Sequence, residues 1–117
     1  MNKAIAGFHI LTILSEVDND FDPREGLVIV DYLKENFPPL PISLDKEMDF
    51  LSSLSKDDYQ THFETCLVDF YKDSTSEERI SFLKFAVNII KADEVITDNE
   101  NKYLNYMYDQ WDIDSNT

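Results

Sequence analysis

Apolar residues recur at helical spacing along almost the whole chain. Ile10, Ile13, Leu14 and Val17 stand at i, i+3, i+4 and i+7, with Phe8 and Leu11 widening the face, which predicts a well-buried helix over about 3–17. Asp18-Asn19-Asp20-Phe21-Asp22 interrupts that pattern, and Asp22, Pro23 and Glu25 then fall at the N-cap, first and third positions of a new helix reaching about Phe37. Pro38-Pro39-Leu40-Pro41 cannot continue it, because proline removes backbone donors and holds the preceding residue extended. The run reads as a spacer between helices, although a polyproline-type ligand is written the same way. Leu44, Met48 and Leu51 predict a short helix, and Ser55 with Asp58 starts another, whose Tyr59, Phe63, Cys66, Leu67 and Phe70 form one stripe down to about Asp73. Thr75 with Glu78 opens the next, where Ile80, Leu83, Val87 and Ile90 are joined by Phe82, Phe85 and Ile89. Being apolar nearly all round, that fifth helix is expected at the centre of a bundle. Thr97 and Glu100 then cap a last helix carrying Leu104, Met107, Tyr108 and Trp111.

The chain therefore reads as all-α, a single compact bundle of about six or seven helices spanning 1–117. Composition agrees: of 117 residues, 43% are hydrophobic and only two are glycine, which excludes a disordered chain and disfavours a turn-rich β architecture. The net charge of -14 repels phosphate backbones and anionic membrane surfaces, so nucleic acid is not an expected partner. The same field serves solubility, and it also attracts divalent cations or a basic protein surface. No apolar run approaches transmembrane length, and a lone Cys66 inside a helical stripe forms no intramolecular disulfide, so a cytoplasmic protein without membrane insertion is expected.

The two acidic turns repeat each other. Asp18 and Glu25 are spaced as Asp93 and Glu100 are, Phe21 matches Ile96, Asp22 matches Thr97, and Ile29 matches Leu104. The repeats cover about 3–37 and about 76–111. Much of this is helix chemistry: Asp22 and Thr97 cap orphan amides, Glu25 and Glu100 complete capping boxes, and Phe21 and Ile96 act as hydrophobic staples. Asp18 and Asp93 need more, since each ends a helix where the dipole disfavours negative charge. Either their carboxylates accept hydrogen bonds from turn amides, or they bind a cation such as calcium or magnesium. The candidate ligands are Asp18, Asp20, Asp22 and Glu25 in the first turn, with Asp93, Glu94, Asp98 and Glu100 in the second.

The two units, ILSEVDNDFDPREGLVIVDYL and AVNIIKADEVITDNENKYLNYM, resemble the paired motif of aspartate, short turn and glutamate in the TerB-like tellurite-resistance family. The resemblance implies a compact all-helical fold with internal pseudo-twofold similarity and an association with tellurite and stress response. It also implies a divalent-metal role for the acids at Asp18, Glu25, Asp93 and Glu100. The family has glycine directly after the motif aspartate, where this chain has Asn19 and Glu94.

Other constellations are weaker. Asp18 to Asp22 begins like an EF-hand loop, but Pro23 and Ile29 replace the required glycine and bidentate glutamate. His9 and His62 lie in separate helices and are expected as packing or surface residues. His62 and Cys66 share a helix face at i, i+4, yet no third group in the sequence activates the thiol, and no catalytic spacing is present. Asn88 interrupts its apolar helix as the anchor of a buried hydrogen bond or of a ligand. Tyr103, Tyr106 and Trp111 are candidates for a partner-binding face, although most of that end is expected to pack on the core. The expectation is a non-enzymatic binding module that takes a cation or a basic protein. Its rival is a metal-free interaction domain that docks a protein or forms a homodimer through an apolar or aromatic helix face.

Overall fold

The computed structural model describes residues 2–16, 23–37, 44–91 and 98–113. Among them are six α-helices and no strand: α1 (Lys3–Glu16), α2 (Pro23–Asn36), α3 (Leu44–Ser52), α4 (Lys56–Asp73), α5 (Ser76–Lys91) and α6 (Asp98–Gln110). Each coincides with a helix that apolar spacing and caps predict.

Local chemistry sets the starts. Asn2 Oδ1 accepts the Ile5 amide at 2.9 Å, which caps α1. Thr75 and Glu78 close a full capping box on α5, the Thr75 amide donating to Glu78 Oε1 at 2.9 Å and the Glu78 amide to Thr75 Oγ1 at 3.2 Å. Ser55 stands at the N-cap of α4 with extended backbone, but its hydroxyl donates to Asp58 Oδ2 instead of accepting from an amide.

The central helix is α1, not α5. Ala4, Ala6, Phe8, Ile10, Leu11, Ile13 and Leu14 are all buried, and so are the polar His9 and Thr12. Helix α1 packs on α2, α4 and α5, while α6 packs on α4 and α5. On α5, by contrast, Ser81, Lys84 and Asn88 are exposed, because α1 covers only one side of it. The small residues at the start of α1 explain the choice. A Cβ on Gly7 would stand 2.9 Å from Phe82 and 3.2 Å from Leu33, so only glycine admits those side chains so close to the backbone.

Helices α1 and α4 run antiparallel: the Lys3 amide donates to Asp73 Oδ2 at 3.0 Å near one end, and His9 meets His62 further along. Lys3 also bridges to Glu78 Oε2 at 2.9 Å and lies over the Phe37 ring, which ties the start of α1 to α5 and the end of α2. On this side of the seam the core is aromatic. Phe70 stacks on Trp111 with ring centres 4.9 Å apart, Phe82 meets Phe70 at 4.5 Å, and Phe37 packs edge-on against Phe70.

Candidate metal centre

Further along the same seam the packing becomes polar. His9 enters from α1, one helical turn from Thr12, whose Oγ1 is buried with no hydrogen-bond partner among the described residues. His62 and Cys66 come from α4, where an i, i+4 spacing places both side chains on one face in successive turns. Glu47 comes from α3, which lies across this end of the seam with Leu51 buried beneath it.

The four side chains form one chain of contacts. Glu47 Oε2 lies 2.5 Å from His9 Nε2, His9 Nδ1 lies 2.8 Å from His62 Nε2, and Cys66 Sγ lies 3.4 Å from the same His62 nitrogen. An ionised carboxylate only accepts, so His9 Nε2 carries a proton and donates to Glu47. One hydrogen bond joins His9 Nδ1 and His62 Nε2, so one of these two nitrogens carries the proton between them. Phe50 closes the outer side, stacked on His9 with ring centres 5.5 Å apart and 5.1 Å from His62. Its ring is 45% exposed, and the Glu47 side chain 21%, so α3 forms the solvent side of the cluster.

Electrostatics at this site favour neutral groups. Burial is the main cause that pushes the Cys66 thiol up to about 12, with Asp69 adding to it. Burial, then the neighbouring His9, holds His62 below the usual imidazole value, with Asp69 opposing. A nucleophilic thiol needs the reverse, a depressed value and an exposed sulfur. What the arrangement offers is a set of Lewis-basic atoms: His9 Nδ1, His62 Nε2 and Cys66 Sγ all lie within 4.8 Å of one another.

The site residues expected from the sequence are placed differently. Asp18, Asp20, Asp22, Asp93 and Glu94 lie outside the described residues, as does the side chain of Glu25. Asp98 is exposed at the start of α6 and Glu100 is buried two residues on. Trp111 has to be removed from the partner-binding face: it is 3% exposed, it stacks on Phe70, and its Nε1 donates to the Leu67 carbonyl at 2.9 Å. Tyr103 and Tyr106 are half-buried and packed edge-on against each other, Tyr103 also against Phe63. Asn88 is exposed, beside a groove lined by Ile80, Leu83, Val87, Tyr108 and Ile113, and is not a buried anchor.

Sequence reasoning joined His62 to Cys66 but left His9 and Glu47 out. The available signal was His9 itself, a titratable residue inside an otherwise apolar run. Nothing local pointed to Glu47, which looks like any exposed acid of a short helix. The sequence matches no family model, and no curated protein or solved structure matches the chain.

Proposed function

We propose that this chain is a non-enzymatic binding module whose ligand is a cation, a reading in keeping with its resemblance to TerB-like domains. The observation that carries it is the kind of chemistry gathered at the α1, α3 and α4 junction. Glu47, His9, His62 and Cys66 bring together proton-holding and metal-ligating atoms, and the one thiol is buried among them. The acidic turns add a second place for a hard cation such as calcium or magnesium, or for a basic protein, in a chain of net charge -14.

The test is thermal unfolding of chelator-treated protein with calcium, magnesium, manganese or zinc, against sodium chloride at matched ionic strength. The salt control is needed because any electrolyte relieves self-repulsion at this charge. An ion at about a hundredfold excess over its Kd adds about 2.7 kcal/mol, on the order of 10 °C at this size. Equal small shifts from every salt would refute cation binding.

A second reading, a protein-interaction domain, rests on α2. Leu27 and Val28 are large apolar residues exposed there, at 59% and 53%. Light scattering across a concentration series addresses homodimerisation. A mass that rises in the native chain and stays monomeric in a Leu27→Gln, Val28→Gln variant would favour that reading, and a monomer throughout would count against self-association.

A further inference from the structure

We propose that His9 Nδ1, His62 Nε2 and Cys66 Sγ are the ligands of a single transition-metal cation of the zinc class, with Glu47 as the outer partner that orients His9. This rests on the cation-binding reading above and narrows it to one site and one class of ion.

The geometry is close to what such an ion requires. Zinc bonds of about 2.0–2.1 Å to nitrogen and about 2.3 Å to sulfur place tetrahedral ligand atoms about 3.3–3.6 Å apart. Cys66 Sγ and His62 Nε2 already stand 3.4 Å apart, while the two imidazole nitrogens, at 2.8 Å, need to open by about half an ångström. Two of the three donors are fixed by one helix, and the third comes from the helix packed most closely on it, so little ordering remains to be done on binding.

Glu47 supplies the independent observation. Its carboxylate is the partner of His9 Nε2, which leaves Nδ1 on the side of His62 and Cys66. A ligating histidine whose far nitrogen donates to a carboxylate is the usual outer arrangement of zinc centres, where it sets the tautomer and raises ligand basicity.

The exchange of charge is simple. In the metal-free protein one proton lies between His9 Nδ1 and His62 Nε2, where a cation would sit. On binding, each imidazole keeps one proton, on the nitrogen away from the ion, and Cys66 gives up its thiol proton to solvent, without oxidation or reduction. Two imidazoles and a thiolate select zinc, or cobalt as its probe, over calcium and magnesium, which take oxygen ligands. Three protein donors leave one coordination position for water.

The experiment is equilibrium titration of the whole chelator-treated chain with zinc, calcium and magnesium, and with cobalt(II) as a spectroscopic probe. Expected are one zinc per chain and a cobalt complex with tetrahedral visible bands and thiolate-to-cobalt charge transfer in the near ultraviolet. Cys66→Ser should abolish the charge-transfer band, and Glu47→Gln should weaken zinc binding by about 10–100-fold. His62→Gln should weaken it by more, and the Asp18→Asn, Asp93→Asn variant should leave it unchanged. Helical circular dichroism checks each variant; should His62→Gln unfold, the part-exposed Glu47→Gln and the near-isosteric Cys66→Ser decide the matter. Zinc affinity untouched by Cys66→Ser and Glu47→Gln, or a cobalt spectrum without charge transfer, overturns the site. If only calcium or magnesium binds, and is lost in the Asp18→Asn, Asp93→Asn variant, the cation-binding reading stands and this site falls. If no ion binds, both fall.

Discussion

The seam between α1 and α4 has two sides of opposite chemistry. Around Gly7 the helices are wedged by Phe70, Phe82 and Leu33, with Trp111 stacked behind, and what matters is volume. Around His9, two residues further on, they are joined by Glu47, His62 and Cys66, and what matters is which atom holds a proton. Aromatic packing sums many weak contacts in preferred stacked and edge-on geometries, so it holds the fold together. A buried polar chain contributes less to stability, because each group gives up water for its partner, yet it depends on the identity of every member. The first side explains why the bundle holds together; the second explains why it has chemistry at all.

Thiol reactivity separates the two sides most sharply, and without any substitution. With a value near 12 against an ordinary 9.0, the thiolate fraction of Cys66 at neutral pH is about a thousandfold lower than that of a free thiol. An aromatic disulfide reagent should therefore leave the native, chelator-treated protein almost untouched at pH 8 and label one thiol per chain at once in urea. Fast labelling of the folded chain would contradict the burial.

Among substitutions, Trp111→Ala removes the largest piece of the aromatic side and should cost about 3–5 kcal/mol, read as a lower urea midpoint at unchanged slope. Gly7→Ala comes next. The new methyl would meet a Phe82 carbon at 2.9 Å, and Phe82 is held by Phe70 and Trp111, so the strain of about 1–3 kcal/mol should outweigh a helix-propensity gain of about 1 kcal/mol. A Gly7→Ala protein more stable than the native chain would mean that the wedge is loose.

On the polar side, Glu47→Gln should cost the metal-free protein only about 0.5–1.5 kcal/mol, since an amide oxygen still accepts from His9 and the site is open to solvent beyond α3. Its effect on metal binding should be far larger than its effect on stability, which is the reverse of what Gly7→Ala should do. The smallest effect belongs to Glu78, whose carboxyl is held below its usual value first by the hydrogen bond from Lys3. Because the folded value is the lower one, the stabilisation is present above the ordinary carboxylate value and is lost as pH falls through the folded value. Glu78→Gln should flatten that acid limb by about 0.2–1 kcal/mol, measured as unfolding free energy between pH 6 and pH 3, roughly the span over which carboxylates titrate.

Helix bounds and the α5 capping box were legible in the sequence because they depend on neighbours, whereas Ser55, at the N-cap of α4, makes no cap hydrogen bond. The stripe Tyr59, Phe63, Cys66, Leu67 and Phe70 became α4, and Thr75 with Glu78 formed its capping box as spaced. The acidic repeat was equally visible, but its turns lie outside the described residues. Residues that depend on distant partners could not be placed from spacing. Helix α5, expected at the centre for its many apolar residues, exposes Ser81, Lys84 and Asn88 and lies to one side, while the small residues of α1 let its neighbours approach closely. Trp111 had the composition of a docking residue and became core, since Leu67 offers a carbonyl to its indole nitrogen. His9, Glu47 and the pair His62 and Cys66 come from three helices, and only His9 is unusual in its own segment. Sequence by itself determined an acidic all-α chain with its helices in place, because periodicity and capping act within a few residues. Only the tertiary structure decided that these four side chains share one site, because contact between distant helices is settled by how the whole core packs.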